Sequence, residues 1–574
     1  MGTIAENMVD TLKASGVSRI YGLAGDSLNG LTDALRGELD WVHVRHEEAA
    51  ALAASAEAAL TGELAVCAAS CGPGNLHLIN GLFDANRSRV PVLAIASHIP
   101  SSEIGSNYFQ ETHPQELFRE CSVYCEMVGS PEQMPRILEI AMRTAIERRG
   151  VAVVVIPGDI LQKSAESART VAIRPTSSSV LPSAEGLAEA ARLLNDADKV
   201  TILAGAGVAG AHSEVLALAD ALGAPIVHAM RGKEHIEYDN PFDVGMTGLL
   251  GFASGYSAML SCDTLLMLGT DFPYPQFFPE NAKVIQVDVR GEQLGRRTPL
   301  DLGLVGTVRD TAQVLLPLVE RKQDRGHLER SVKHYKKSRK GLDDLATNDR
   351  NRAPIHPQYL TRLIDELADD DAVFLPDVGS PVVWASRYLT MNGRRRLIGS
   401  FSHGTMANAV SQGIGAQASH PSRQVIALAG DGGLTMMLGE LLTLVQNQLP
   451  VKVVVFNNSS LNFVELEMKA AGLVNSGTEL VNPNFADMAR AMGLHGVRVE
   501  RPDDLPSALA DAFAHDGPAL IDVVTARQEL SIPPAITAEQ AKGFTLYAIR
   551  TVLSGRGEEL IDLANTNVLR RIFD

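Results

Sequence analysis

The sequence predicts an α/β protein: three doubly wound parallel-sheet domains followed by a C-terminal helical tail. Three observations carry this. Short apolar runs without alternation recur along the chain, as expected of strands buried on both faces. Helix-length segments separate them, so successive strands are joined by crossovers and run parallel. The 574 residues exceed what one hydrophobic core holds, and at roughly 150 residues per domain three or four units are expected.

Composition narrows the class. The chain is 45% hydrophobic and 21% charged, a globular balance. A net charge of −17 argues against a nucleic-acid surface. No apolar run approaches the ~20 residues that span a bilayer, so any membrane contact is local. The opening MGTIAENMVDTLKASG lacks the pattern of a signal peptide, and Glu6 breaks the myristoylation pattern. With five cysteines, an odd count, the expected compartment is a reducing cytoplasm. Cys67/Cys71 and Cys121/Cys125 are read as buried thiols rather than metal ligands.

The first domain is placed at 1–165. A helix over Ile4–Ser15 leads to a strand at Arg19–Leu23 and a turn at Gly25-Asp26-Ser27. A strand at Val42–Val44 runs into Arg45-His46-Glu47-Glu48, which opens an Ala-rich helix to Ala59. Strands follow at Leu64–Ala68, Val92–Ala96 and Val151–Ile156. A Ser/Thr/Pro-rich linker, Lys163–Pro182, leads to a second domain at 183–330. There the strand Val200–Ala204 meets Gly205-Ala206-Gly207-Val208-Ala209-Gly210, a GxGxxG turn. No acidic residue closes a second strand about 20 residues on, which weakens an NAD-site reading. A glycine turn that only packs strand on helix stays open, and Asp288 does close the later strand Val284–Val287.

The charged segment Arg321–Asn351 reads as a helical connector with a solvated face. The third domain, 354–528, has strands at Ala372–Leu375, Val425–Ala429, Val451–Phe456 and Ala519–Val524. No residue-level repeat of the first domain is visible in it. The tail, 529–574, begins with a short helix at Gly543–Arg550 and breaks at Gly555-Arg556-Gly557. In Glu558–Phe573, Ile561, Ala564, Val568 and Ile572 recur at helical spacing. That helix either docks on the core or lies in a membrane interface.

Two places carry chemistry. Strand Val425–Ala429 ends in Gly430-Asp431-Gly432, and the next strand ends in Asn457-Asn458. In a parallel βαβ unit both ends fall where ligands bind. A carboxylate and an amide oxygen, joined by backbone and phosphate oxygens, suit a hard cation such as Mg²⁺. The flanking glycines admit a diphosphate to a helix N-terminus. The second place is Glu47, a carboxylate in the first turn of an apolar helix and so a candidate for burial. Glu47 and Glu48, being adjacent on a helix, should have different surroundings.

GDG followed by NN resembles the motif of thiamine diphosphate (ThDP) enzymes, and Arg-His-Glu before an Ala-rich helix is similar to the segment carrying their catalytic glutamate. The resemblance implies that Asp431, Asn458 and the carbonyl of Ser460 hold Mg²⁺ under the cofactor diphosphate. It implies that Glu47 hydrogen-bonds the aminopyrimidine ring and so activates ThDP toward a 2-oxo acid. Four further segments, Glu63–Asp84, Ser97–Cys121, Pro225–Phe252 and Ala541–Asn567, resemble the quinone-dependent pyruvate dehydrogenases of the pyruvate oxidase/acetohydroxyacid synthase family.

That resemblance implies pyruvate as substrate, ThDP, Mg²⁺ and FAD as cofactors, and a membrane quinone as acceptor. It also implies a homo-oligomer, expected to be a tetramer, with Glu47 and the metal site meeting across a subunit interface. The enzyme would sit peripherally on the inner face of the cell membrane, its tail binding phospholipid. By the same token Gly404, Thr405 and Met406 line the ThDP ring, Met406 as the apolar wedge. Gly432 and Gly433, with Asn458, Ser459, Ser460, Leu461, Asn462, Phe463 and Val464, wrap the diphosphate. Phe463, Phe109 and Gln110 stand near the reacting carbon. FAD contacts are implied for Thr247, Gly248, Leu249 and Leu250, for Thr270, Asp271, Phe272, Pro273 and Tyr274, and for Asp288. A carboligase with a non-redox FAD, or an oxygen-dependent pyruvate oxidase, is the alternative.

Overall fold

The computed structural model describes residues 2–165, 169–176, 178–347 and 354–527, and beyond these Glu529, Leu546, Tyr547 and Arg550. The break at Gly555–Gly557 and the amphipathic stretch Glu558–Phe573 lie outside the described residues.

Three six-stranded, wholly parallel sheets make up the chain. The first holds β1 (Arg19–Gly22), β2 (Asp40–His43), β3 (Ala65–Ala69), β4 (Val92–His98), β5 (Tyr124–Met127) and β6 (Val151–Pro157), in the order β2-β1-β3-β4-β6-β5. The second holds β7 (Val200–Ala204), β8 (Ile226–His228), β9 (Asp243–Met246), β10 (Thr264–Leu268), β11 (Lys283–Asp288) and β12 (Leu302–Val305), in the order β12-β11-β10-β7-β8-β9. The third holds β13 (Val373–Pro376), β14 (Arg396–Leu397), β15 (Val425–Gly430), β16 (Lys452–Asn457), β17 (His495–Val499) and β18 (Ala519–Val524), in the order β14-β13-β15-β16-β18-β17. Counted within each sheet, the first and third share one strand order. The middle sheet has the order of dinucleotide-binding domains.

The strands read from continuous apolar runs are all present. Those not read are mostly edge strands: Tyr124–Met127 is half exposed and Arg396–Leu397 is two residues long. The central strand Thr264–Leu268, fully buried, was also not read.

The first and third domains are joined by one continuous core. Its centre is the helix Glu47–Thr61, flanked by the helices Pro73–Ser88 and Asn408–Ser419. Alanine gives the first helix high propensity and a low profile. His46 caps it, its Nδ1 accepting the Glu48 N–H at 3.2 Å, and Gly62 ends it with φ 74°. The approach is close enough to demand glycine: a Cβ on Gly415 would lie 1.9 Å from the Ala53 carbonyl oxygen. Overpacking of this kind costs about 1–3 kcal/mol or more.

All five cysteines are free, and burial pushes the Cys67, Cys121, Cys125 and Cys262 thiols up to about 12. Cys67, Cys71 and Cys121 are buried, as expected, and Cys125 is half-buried. The helix expected within Arg321–Asn351 runs Gly326–Leu345.

Candidate active site

The turn after β15 packs its carboxylate inward. Asp431 is 3% exposed. Its Oδ2 accepts N–H bonds from Asn458 (3.1 Å), Ser459 (2.6 Å) and the Asn482 side chain (2.8 Å), and its Oδ1 accepts from Gly432 (2.9 Å). Burial pushes this carboxyl above its usual range, and the four donors pull it back. Ser459 takes a left-handed φ of 55°, which turns successive N–H groups onto Asp431. Asn458 Oδ1 accepts from the Ser460 N–H at 3.0 Å. Ser460 Oγ in turn donates to Glu465 at 2.6 Å, and Glu465, fully buried, is paired with Lys469 and Arg527.

This donor set fits a hard divalent cation. It offers a desolvated carboxylate, an amide oxygen and a backbone carbonyl, with neither sulfur nor imidazole. Asp431, Asn458 and Ser460 are therefore brought together as the motif implied. Asn482, which bonds both Asp431 and Asn457, had no signal in the sequence.

The turn is kept bare by its glycines. A Cβ on Gly433 would lie 2.1 Å from Asp377 Oδ2, and one on Gly432 2.7 Å from the Leu461 side chain and 3.4 Å from Met406 Cε. So Leu461 and Met406 both reach this turn. Asp377 ends β13, across the switch point of the sheet. It accepts N–H bonds from Ala409 (3.1 Å) and Gly430 (3.2 Å), and burial pushes its carboxyl up to about 7. Its place just past a strand end was the signal that could have found it. Phe463 opens onto the core of the third domain, Asn462 is buried and Val464 is exposed.

The second pole is in the first domain. Glu47 is 5% exposed, and its Oε2 lies 2.8 Å from His77 Nδ1. The His46 and His77 rings stack at 4.3 Å. Glu48 instead accepts from Asn80 Nδ2 at 2.7 Å, so the two glutamates do differ in surroundings. Asn80 also donates to Thr405 Oγ1 (2.8 Å) and meets His403 Nε2 (2.8 Å). Gly404 has φ 85° and Ala407 φ 65°. Within one chain, polar contacts thus run from the Glu47 helix to the 403–406 segment over the Asp431 turn. His77, Asn80 and Asp84 share a face of the helix Pro73–Ser88, a periodicity that sequence reasoning passed over.

Gln110, at φ 64°, sits over the Gly72 turn after β3, its Oε1 3.4 Å from Cys71 Sγ. Phe109 beside it is 78% exposed. Among the described residues, no hydrogen bond, ion pair or ring contact joins Phe109 or Phe463 to Glu47.

In the middle domain the implied FAD segments all lie at carboxyl ends of strands: Thr247–Leu250 after β9, Thr270–Tyr274 after β10, Asp288 closing β11. Thr247 Oγ1 and Arg290 Nη2 are buried without a hydrogen-bond partner among the described residues, while Arg290 Nε pairs with Asp288 Oδ1 at 3.5 Å. Asp271 pairs with Arg89 of the first domain (2.8 Å) and with Arg297 (3.1 Å). Arg387 of the third domain donates to the Leu250 carbonyl at 3.1 Å. Burial and neighbouring arginines bring the Arg89 guanidinium down to about 10. Orphaned polar atoms within a crowd of guanidinium groups fit an anionic dinucleotide. The Gly205–Gly210 turn has a packing role as well. A Cβ on Gly205 would lie 2.5 Å from the Gly269 carbonyl and one on Gly207 2.6 Å from Gly269 Cα.

A buried carboxylate turn whose oxygens fit a divalent cation and a buried glutamate on two like domains, with a dinucleotide-type domain between them in sequence, are the frame of a ThDP-dependent enzyme. Residues 2–117, 187–315 and 377–523 match, in order, the N-terminal TPP-binding, central and C-terminal TPP-binding domains of thiamine pyrophosphate enzymes. The chain belongs to this family, in the group that includes pyruvate oxidases and acetolactate synthases. It is 36% identical to the Bacillus subtilis protein YdaP, named for the thiamine pyrophosphate it is held to contain, over 100% of this chain and 99% of that one. It is 30% identical to the pyruvate oxidase of Lactiplantibacillus plantarum, over 90% and 87% of the two chains. It is also 30% identical to the acetolactate synthase of Arthrospira platensis, over 92% and 94%.

Proposed function

We infer that the protein oxidatively decarboxylates pyruvate to acetate and CO₂, passing the electrons through FAD to a membrane quinone. In this reading Asp431, Asn458 and the Ser460 carbonyl would hold Mg²⁺, which would supply the charge that binds the diphosphate of ThDP. Met406 presses an apolar side chain toward the same turn. ThDP, when bound, supplies the nucleophilic carbon and the electron sink for decarboxylation. Glu47 would hydrogen-bond the cofactor ring and exchange a proton with it, and His77, 2.8 Å away, would keep that carboxyl in place. The middle domain supplies Thr247–Leu250, Thr270–Tyr274 and Asp288 for FAD, with Arg290 and its neighbours against the diphosphate. The exposed Phe109 suits a contact with a second chain, in line with a tetramer.

One observation favours the redox reading over carboligation. The chain beyond 529 returns to the cofactor loop: Tyr547 is buried, with Lys469 Nζ 5.4 Å from its ring centre, and Arg550 donates to the Gly472 carbonyl at 2.6 Å. Lys469 pairs with Glu465, which holds Ser460. In this reading, these contacts would couple the C-terminal segment to the Ser460 loop, and a lipid surface would act through that segment. The equal identity to an acetolactate synthase keeps the carboligase as the second reading. The test is pyruvate-dependent quinone reduction with and without phospholipid, with the carbon product identified. Acetate formed with quinone reduction is expected; acetolactate without quinone reduction would replace this reading by the second.

A further inference from the structure

The middle domain carries a second cleft, at the opposite end of its sheet from the cofactor segments. Lys199 immediately precedes β7, and Ser261 lies just ahead of β10, so both stand at the amino ends of the strands. The implied FAD residues stand at the carboxyl ends, about 17 Å away for strands of this length. The cleft has a volume of about 320 Å³ and lies between the helices Ala253–Leu260 and Gly326–Leu345. That volume is within the range of small-ligand sites.

Its charged groups are all cationic, with no carboxylate among the lining residues. The lining includes Lys199, Arg330, His327, His334 and Ser257. Ser254, Ser261 and Ser331, also lining it, each donate their hydrogen to a backbone carbonyl: Val244, Ser257 and His327, at 2.9, 2.7 and 2.9 Å. That leaves the Lys199 ammonium, the Arg330 guanidinium, the Ser257 hydroxyl and the His334 ring to face a ligand. Neither Lys199 nor Arg330 forms an ion pair among the described residues. The nearby Asp263 accepts the Asp198 and Lys199 N–H groups on Oδ2, at 3.1 and 2.8 Å, while its Oδ1 is buried without a hydrogen-bond partner among the described residues.

His327 sets the floor. Thr201 Oγ1 lies 2.9 Å from the Ala258 carbonyl and 2.9 Å from His327 Nε2. A hydroxyl has one hydrogen, so Thr201 donates to Ala258 and accepts from His327 Nε2–H. The ring is thereby fixed, and burial beside Arg330 and Lys199 pushes it down to about 4. The helix Gly326–Leu345 adds to the positive field. It sets Arg330, Lys333, Lys336, Lys337, Arg339 and Lys340 against Glu329, Asp343 and Asp344, in a chain whose net charge is −17.

We propose that this cleft binds a small phosphate-bearing anion, held by Lys199 and Arg330 as charged donors, with Ser257 and His334 completing the shell. The volume leaves room beside the phosphate for a sugar-sized group. The site does not depend on which reaction the ThDP centre performs.

The test is isothermal titration of the holoenzyme, saturated with ThDP, Mg²⁺ and FAD, in a chloride buffer. Inorganic phosphate and ADP are the probes. Saturable binding is expected, weakened about tenfold or more by Lys199→Gln or Arg330→Gln and lost in the double variant, as follows from removing charge-assisted bonds. Tighter binding of ADP would identify a nucleoside phosphate as the source, and equal binding the free anion. Retained flavin content shows that each variant is folded. Absence of saturable binding to the unaltered enzyme, or an unchanged affinity in the folded double variant, overturns the proposal.

Discussion

Asp431→Asn tests the metal pole, and its effect follows from which oxygen takes which bond. Three of the four N–H donors converge on Oδ2 and only Gly432 reaches Oδ1. An isosteric amide therefore keeps its oxygen at the Oδ2 position and turns its NH₂ toward the Gly432 N–H. Bonds to a charged acceptor contribute about 1.5–3 kcal/mol and neutral ones about 0.5–1.5, so three bonds weaken by about 1 kcal/mol each. The Gly432 N–H, facing a donor, costs about 1 kcal/mol more. Relief of the desolvation that raises this carboxyl offsets part of the sum, leaving about 2–4 kcal/mol. Those bonds hold the loop that presents Asn458 and Ser460, so the loss enters cofactor affinity directly. ThDP affinity in the presence of Mg²⁺, measured by calorimetric titration, is expected to fall about 30- to 1,000-fold. An affinity within threefold of the unaltered protein, with normal folding, would refute the placing of the metal on Asp431.

Three further outcomes are expected. Glu47→Gln should retain FAD and lose pyruvate-driven flavin reduction, followed by flavin absorbance; normal reduction would remove Glu47 from its role. Truncation after Gly557 should leave turnover with a soluble acceptor intact and abolish activation by phospholipid vesicles, so an unchanged lipid response would sink the tail reading. For Asp377, burial raises the folded carboxyl to about 7 against an unfolded value of about 3.9. The folded state therefore binds the extra proton between those values, and the stability that this adds is lost as pH rises from about 4 to 7. Asp377→Asn removes that titration. Its melting temperature relative to the unaltered protein should therefore rise between pH 5 and pH 8; a constant difference would show that Asp377 does not titrate there.

Most strands buried on both faces were legible as continuous apolar runs, as at Val151–Ile156 or Val425–Ala429, the fully buried Thr264–Leu268 being the exception. Others were hidden where a strand lies at an edge and needs no such run, as at Tyr124–Met127 and His495–Val499. The closeness of Asp431 and Asn458 was legible because they follow strands adjacent in sequence and in the sheet. The supports of the Asp431 turn were not: Asn482 and Asp377 reach it from distant segments, and only the closed sheet brings them there. The partner of Glu47 was half legible, since His77 and Asn80 recur at helical spacing, but nothing in that spacing says which carboxylate they meet. That Glu48 rather than Glu47 bonds Asn80 is decided by helix phase and packing, not by residue type.

The shared strand order of the first and third domains has its own consequence. In each, the helix after the second strand, Glu47–Thr61 or Asn408–Ser419, is the one pressed against the other domain. One architectural plan is thus used twice, with different residues at matching places: glutamate opens one helix and asparagine the other. The turn after the third strand carries Ser70-Cys71-Gly72 in one domain and Asp431-Gly432-Gly433 in the other. On the proposed reading, anchoring and activation would fall to separate halves of this repeated frame. Substitutions that retune the proton chemistry around Glu47 can accumulate while the metal turn is preserved, and one scaffold can diversify its reactions without renegotiating how it holds its cofactor.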